Sequence, residues 1–407
     1  MPAPLEPIPI KKGKGVYIYD ENGKSYLDAI SSWWVNLHGH CHPYIIEKIA
    51  AQMGNLEHVI FAGFTHLPAI ELAERLLSLL PGKMEKIFYS DNGSTAVEAA
   101  IKMAIQYCYY LHPKRKKILC FKGSYHGDTY GAMSVSGKNS FNRPFWSQLF
   151  DVEVIDPPFV GNEAASLEQL QNILQKEECA AFIFEPLILG TGGMAIYPAQ
   201  GLDPLLKLCR KHQVFTIADE VMTGFGRTGP LFACSLLSEK PDMICLAKGL
   251  TGGFLPLGVT ACTESVLNGF ISKDPSRLFL HGHSYTANPL ACASALASLD
   301  LLEKETCTAQ RRMIAESHTK FSCQLKQDKR FKRVESLGTI LALEYRSETP
   351  SSYFHPLRDR LYQFFLEQAI LLRPLGNVIY VMPPYCITYD ELQHINHQIA
   401  LTVEKFS

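Results

Sequence analysis

The chain has 407 residues, 47% of them hydrophobic and 19% charged, with a formal net charge of −1. That length supports two packed domains, and with so even a charge balance electrostatic attraction to nucleic acid or anionic lipid is not expected. No apolar run reaches the roughly 18 residues of a spanning helix, and MPAPLEPIPIKKGKG has no apolar core of signal-peptide length, so a membrane partner is not expected.

Along the chain, VYIYDENGKSYLDA alternates apolar and polar residues around Asn22-Gly23, a pair that favours the positive φ angles of a tight hairpin. HPYIIEKIAAQMG follows as a helix opened by Pro43 and closed by Gly54, with Ile45, Ile46, Ile49 and Met53 on one face. A second apolar stripe at Leu72, Leu76 and Leu79 stops at Pro81-Gly82. The basic cluster Lys114-Arg115-Lys116-Lys117 reads as a solvated loop before a strand.

The rhythm then changes. Short apolar runs at KILCF (117–121), AAFIFEP (180–186), VFTIADE (214–220), MICLAKG (243–249) and LGVTAC (257–262) alternate with helical patterns such as LDPLLKLCRKH (202–212). Buried strands between helices predict an α/β domain with a mostly parallel sheet covered on both faces. That large domain is expected over residues 45–290, with residues 1–44 and 291–407 forming a smaller α+β domain. Twelve cysteines carry no CxxC spacing, as expected of reduced thiols in a cytoplasmic protein.

Ligands of such sheets sit beyond the carboxyl ends of the strands. VFTIADE ends on Asp219, MICLAKG ends on Lys248, and SDNGSTAVEAAIKMA turns into a helix at Gly93-Ser94. Each has an ordinary reading: a polar strand end, a lysine reaching to water, a capped helix. Together they match the needs of pyridoxal 5'-phosphate. Its aldehyde requires an unprotonated amine, which burial favours; its ring nitrogen requires a carboxylate; and its phosphate suits the N–H groups that open a helix.

IADEVMTGFGRTG, followed 29 residues after its aspartate by LAKGLTGG, resembles the signature of the class III, fold-type I pyridoxal-phosphate aminotransferases, and FKGSYHGDTYGAMSVSG (121–137) adds to the likeness. SSWWVNLHGHCHP, GFTHLPAIELAERL, HGHSYTANPLACA and LLRPLGNVIYVMPPY are similar to the branch of that class that converts 8-amino-7-oxononanoate to 7,8-diaminononanoate in biotin biosynthesis. The resemblance implies a homodimer with a shared active site. It implies that Lys248 binds the cofactor aldehyde and carries the proton, and that Asp219 pairs with the ring nitrogen. Gly93 and Ser94 would hold the phosphate, while Tyr125 and Val221 would cover the two ring faces. Gly282, His283 and Ser284 match a stretch that, in the family, reaches the neighbouring subunit's phosphate and substrate. Arg373 would bind the substrate carboxylate, and Trp33, Trp34, Asp128 and Tyr380 would line the substrate pocket.

Trp33 and Trp34 also carry a geometric expectation. If they lay on a strand they would face opposite ways, leaving one free to wall a pocket. Arg227 in GFGRTG reads as a brace for the loop after Asp219, and Glu185, at a strand end before Pro186, is a candidate to face the cofactor without an assigned role. Two departures from the family stand out: Gly282-His283-Ser284 replaces Gly-Pro-Thr, and the opening lacks the tyrosine motif that recognises the amino donor. S-adenosylmethionine is the expected donor, with lysine as the alternative. Another class III enzyme, acting on an ω-amino acid or ornithine, and a non-catalytic protein of the same fold are the rival readings.

Overall fold

The computed structural model describes residues 6–139 and 141–406. Residues 1–5 of the opening that lacks the donor motif therefore lie outside the described residues. The chain divides into two compact units, residues 48–299 and residues 1–47 with 300–407.

The unit of residues 48–299 is built on a seven-stranded sheet. Its strands are β1 (Met84–Ser90), β2 (Lys117–Phe121), β3 (Val152–Ile155), β4 (Cys179–Phe184), β5 (Phe215–Asp219), β6 (Met243–Leu246) and β7 (Gly258–Thr263). Their spatial order is β1-β7-β6-β5-β4-β2-β3. Only β7 departs from the parallel arrangement, pairing antiparallel with both β6 and β1. Residues of β4, Cys179 to Phe184, are all buried, as a strand covered on both faces requires.

Helix α1 (Gly93–Leu111) lies on this sheet through Ala96, Val97, Ala100, Ile101 and Ala104, which share a core with Ile217, Met243 and Cys245. Small side chains let the helix axis approach closely enough for Thr260 Oγ1 to donate to the Ala96 carbonyl at 2.7 Å. Its first turn is thereby fixed against the strand ends.

The other unit contains a four-stranded sheet formed by residues 10–14, 17–20, 25–28 and 370–371. A three-stranded antiparallel sheet spans 331–337, 340–345 and 378–381, with helices over 305–325, 357–367 and 389–406. The hairpin at Asn22-Gly23 forms, but only Gly23 takes a positive φ, 86°. The Asp20 carboxylate shapes the turn instead, accepting from the Asn22 and Lys24 amides at 3.0 and 2.9 Å. In the helix Pro43–Met53, Ile45 is buried, whereas Ile46 and Met53 of the expected apolar face remain exposed. Among the described residues, no helix is long and apolar enough to cross a membrane.

Candidate active site

Five strand ends of the sheet carry the polar residues. Beyond β1, Asn92 caps α1 in a capping box with Thr95, which satisfies the Asn92 and Thr95 amides. The Gly93 and Ser94 amides are left pointing out of the first turn, where an anion is favoured. A Cβ at Gly93 would stand 2.7 Å from Val221 Cγ1, so only glycine lets the helix start press against the segment after Asp219. The Ser94 hydroxyl lies 2.7 Å from Thr129 Oγ1, and Thr129 in turn donates to Glu98.

Asp219 closes β5 and is 5% exposed. One carboxylate oxygen accepts from the Val221 amide at 3.1 Å, and the other lies 2.7 Å from Nδ1 of the buried His126. His126 belongs to the loop after β2. Its neighbour Tyr125 donates its hydroxyl to Asp128 at 2.8 Å and its amide to Glu185 at 2.9 Å. Glu185, just past β4, also accepts from the Gly190 amide at 2.9 Å. Burial pushes its carboxyl up to about 7, with the Asp219 charge adding to the effect and His126 opposing it. Burial likewise raises the Tyr125 phenol, reinforced by Asp128.

Lys248 follows β6 with φ of 44°, a left-handed conformation that a non-glycine residue holds only under constraint from its surroundings. Desolvation lowers its ammonium pKa below the ordinary lysine value, against the opposing pull of Asp219 and Glu185. The result is an amine biased toward its neutral, nucleophilic form. Arg227 is buried in the loop after Asp219. In that loop the Glu220 carboxylate accepts from Thr223 Oγ1 and from the Ala233 and Cys234 amides.

The structure thus brings Gly93, Ser94, Tyr125, Asp128, Asp219, Val221 and Lys248 to one edge of one sheet. The His283 ring sits with Nδ1 4.0 Å from Asp91 Oδ2, Ser284 is exposed, and a Cβ at Gly282 would meet only open space. His126 was missed as a functional residue by sequence reasoning, although SYHGDT contains it; nothing in a linear motif says which strand end a histidine will face.

This arrangement fits pyridoxal 5'-phosphate in its chemistry. An amine of depressed pKa, a buried carboxylate and two outward amides at the start of a 19-residue helix are the donors and acceptors the group needs. The family model for class-III aminotransferases matches residues 2–403. The chain is a class-III aminotransferase. Members of this class are pyridoxal-phosphate-dependent transaminases, and this chain is one. It is 47% identical over 403 residues to the adenosylmethionine-8-amino-7-oxononanoate aminotransferase of Synechococcus elongatus, covering 97% of this chain and 94% of that one. The enzyme of the same name from Helicobacter pylori is 40% identical, with 95% and 89% covered. The crystal structure of the Methanocaldococcus jannaschii enzyme of that name superposes with a TM-score of 0.92 at 37% identity, over 98% of this chain and 93% of that chain. An amine transaminase from an uncultivated Pseudomonas species, in its PLP-bound form, also reaches a TM-score of 0.92, at 29% identity, with 100% and 98% covered.

The remaining expected site residues belong to the unit of residues 1–47 and 300–407. Trp33 and Trp34 do not lie on a strand. Residues 31–34 form a left-handed turn with φ of 53°, 45°, 75° and 76°. The turn, rather than strand alternation, separates the two rings: Trp34 is 3% exposed and Trp33 52%. Trp34 meets buried Tyr380 edge-on, with ring centroids 6.0 Å apart. Left-handed backbone costs about 1–2 kcal/mol per residue, so the turn needs support. Asp28 supplies it, accepting from the Ile30 and Ser32 amides at 3.1 and 3.0 Å and from Ser32 Oγ at 2.8 Å. His40 Nε2 lies 2.9 Å from the same carboxylate. Arg373 lies over the exposed Trp33 ring, its guanidinium carbon 5.1 Å from the centroid.

Proposed function

We propose that this chain converts 8-amino-7-oxononanoate to 7,8-diaminononanoate in biotin biosynthesis, with S-adenosylmethionine as amino donor. The observation that carries the reading is the full-length likeness to enzymes named for that reaction, at up to 47% identity. Arg373 supports it: no carboxylate among the described residues pairs with this cation, so the guanidinium fork is available to a substrate acid.

Pyridoxal 5'-phosphate supplies an aldehyde carbon that takes up the amine and a protonated ring that draws electrons from the adjacent C–H bond. The protein does the rest. Lys248 Nζ, kept toward its neutral form by burial, would anchor the aldehyde and carry the proton between the substrate's α-carbon and the cofactor carbon. Asp219, held by His126 and the Val221 amide, keeps the proton on the ring nitrogen. The Gly93 and Ser94 amides would bind the phosphate, and Tyr125 and Val221 would cover the ring. Asp128 holds the Tyr125 hydroxyl. Arg373 binds the substrate carboxylate, and Trp33, Trp34 and Tyr380 form its apolar surroundings. Gly282, His283 and Ser284 contribute to the neighbouring subunit's site in a homodimer. Exposed Ile60, Phe64, Leu67 and Tyr285 support such an assembly, because apolar groups left uncovered in one chain are what an interface buries. We place the enzyme in the cytoplasm, consistent with twelve free cysteines.

The test is an acceptor and donor screen on the purified holoenzyme. Amination of 8-amino-7-oxononanoate in preference to pyruvate and 2-oxoglutarate is expected, with S-adenosylmethionine converting the enzyme to its amino form. A preference for 2-oxoglutarate would overturn the acceptor. Conversion by lysine alone would replace the donor and leave the acceptor standing.

A further inference from the structure

Tyr353 sits in the loop before the helix Leu357–Glu367, and nothing in its sequence context marks it. Its hydroxyl accepts from Arg373 Nη2 at 2.9 Å. The guanidinium therefore has the Trp33 face on one contact and the Tyr353 oxygen on another, and only one of its five N–H groups is used in the Tyr353 bond. An arginine on a flexible side chain loses much of its affinity to rotamer freedom, and two fixed neighbours remove that loss in advance.

The loop that carries Tyr353 is tied to the segment between strands 370–371 and 378–381 that carries Arg373. Ser351 Oγ donates to Glu344, and Asn377 Nδ2 donates to Ser351 Oγ at 3.2 Å and to the Tyr345 carbonyl at 2.8 Å. Gly376, at φ 64°, lets the Ser352 carbonyl come so near that a Cβ there would stand 1.8 Å from it. From the other side, Arg358 lies 5.0 Å from the Tyr353 ring centroid and donates to the Tyr353 carbonyl at 3.5 Å. These contacts hold the Tyr353 loop against the segment that follows Arg373 without help from the hydroxyl bond itself. A loop that met Arg373 by chance would not need them.

We propose that Tyr353 is a positioning residue for carboxylate recognition: its hydroxyl sets the Arg373 fork for the carboxylate end of the acceptor and so sharpens the choice of an acid over its uncharged ester. The inference rests on the reading of Arg373 as the carboxylate receptor.

The experiment compares 8-amino-7-oxononanoate with its methyl ester in the holoenzyme, for wild type, Y353F and R373Q. Phenylalanine keeps the ring against Arg358 and removes only the hydroxyl. For Y353F, KM for the acid is expected to rise roughly tenfold, with kcat within about twofold and the ester's constants unchanged. Equal losses on acid and ester would show a merely structural loop residue and overturn the proposal, as would no change on either. R373Q separates the two levels. If it collapses the acid-to-ester preference while Y353F leaves it intact, the Tyr353 proposal fails and the carboxylate receptor stands. If R373Q also leaves the preference intact, the receptor reading fails first.

Discussion

In the unit of residues 48–299 the polar side chains hang from the ends of parallel strands, whereas in the other unit the equivalent set hangs from a left-handed turn and a loop. The difference lies in what must be stabilised. Strand ends deliver Asp219, Glu185 and Lys248 to one edge with left-handed backbone only at Lys248 among the three, so the site's cost is mostly the burial of charge. The turn at 31–34 runs four residues through a disfavoured region, so its cost is backbone strain, met by the buried acceptor Asp28. One region should fail by losing chemistry and the other by losing shape.

The largest effect should come from Asp219→Ala. Without that carboxylate nothing holds the proton on the ring nitrogen, and kcat is expected to fall by roughly a thousandfold or more, with the protein still folded. Steady-state kinetics alongside a thermal melt checks both halves. Asp28→Ala should do the reverse. It strands two amides, a hydroxyl and His40 beside a void, and a loss of about 3 kcal/mol in stability is expected, together with a change in tryptophan fluorescence as the turn relaxes. Chemical denaturation measures it. A silent Asp28→Ala would mean that the turn is held by something else.

The two regions should also answer pH with opposite signs. Glu185 keeps its proton to about 7 in the folded chain, against an ordinary value of 4.5, so the folded state loses stability as pH rises through that window. His318, buried on the helix Glu305–Leu325, is pushed by burial from 6.5 down to about 3, so stability falls as pH drops through that window. Each slope is at most about 1.4 kcal/mol per pH unit. In cofactor-free protein, Glu185→Gln should flatten the first slope and His318→Leu the second, read from denaturation midpoints at pH 4 to 8. The smallest effect is expected for Gly93→Ala. A methyl crowding Val221 should cost about 1–3 kcal/mol and weaken cofactor binding, measurable by equilibrium dialysis.

The same contrast governs what could be read from sequence. Apolar runs ending on Asp219 and Lys248 expose both the sheet and its functional edge, because strand period and strand end are local properties. The Asn22-Gly23 hairpin was legible in place but not in detail, since the Asp20 carboxylate rather than Asn22 sets its turn. Trp33-Trp34 stood out as a motif, yet its backbone could not be inferred: left-handed φ values at serine and tryptophan contradict local preference and are supported by the Asp28 carboxylate. His126 and Tyr353 act through partners 93 and 20 residues away, and no periodicity encodes such pairings.

The chemistry depends on the amine at position 248. Borohydride treatment of the pyridoxal-phosphate-loaded enzyme, followed by peptide mass mapping, should place the reduced cofactor on the peptide containing Lys248 and on no other. Label on a different lysine, or none on that peptide, would contradict it.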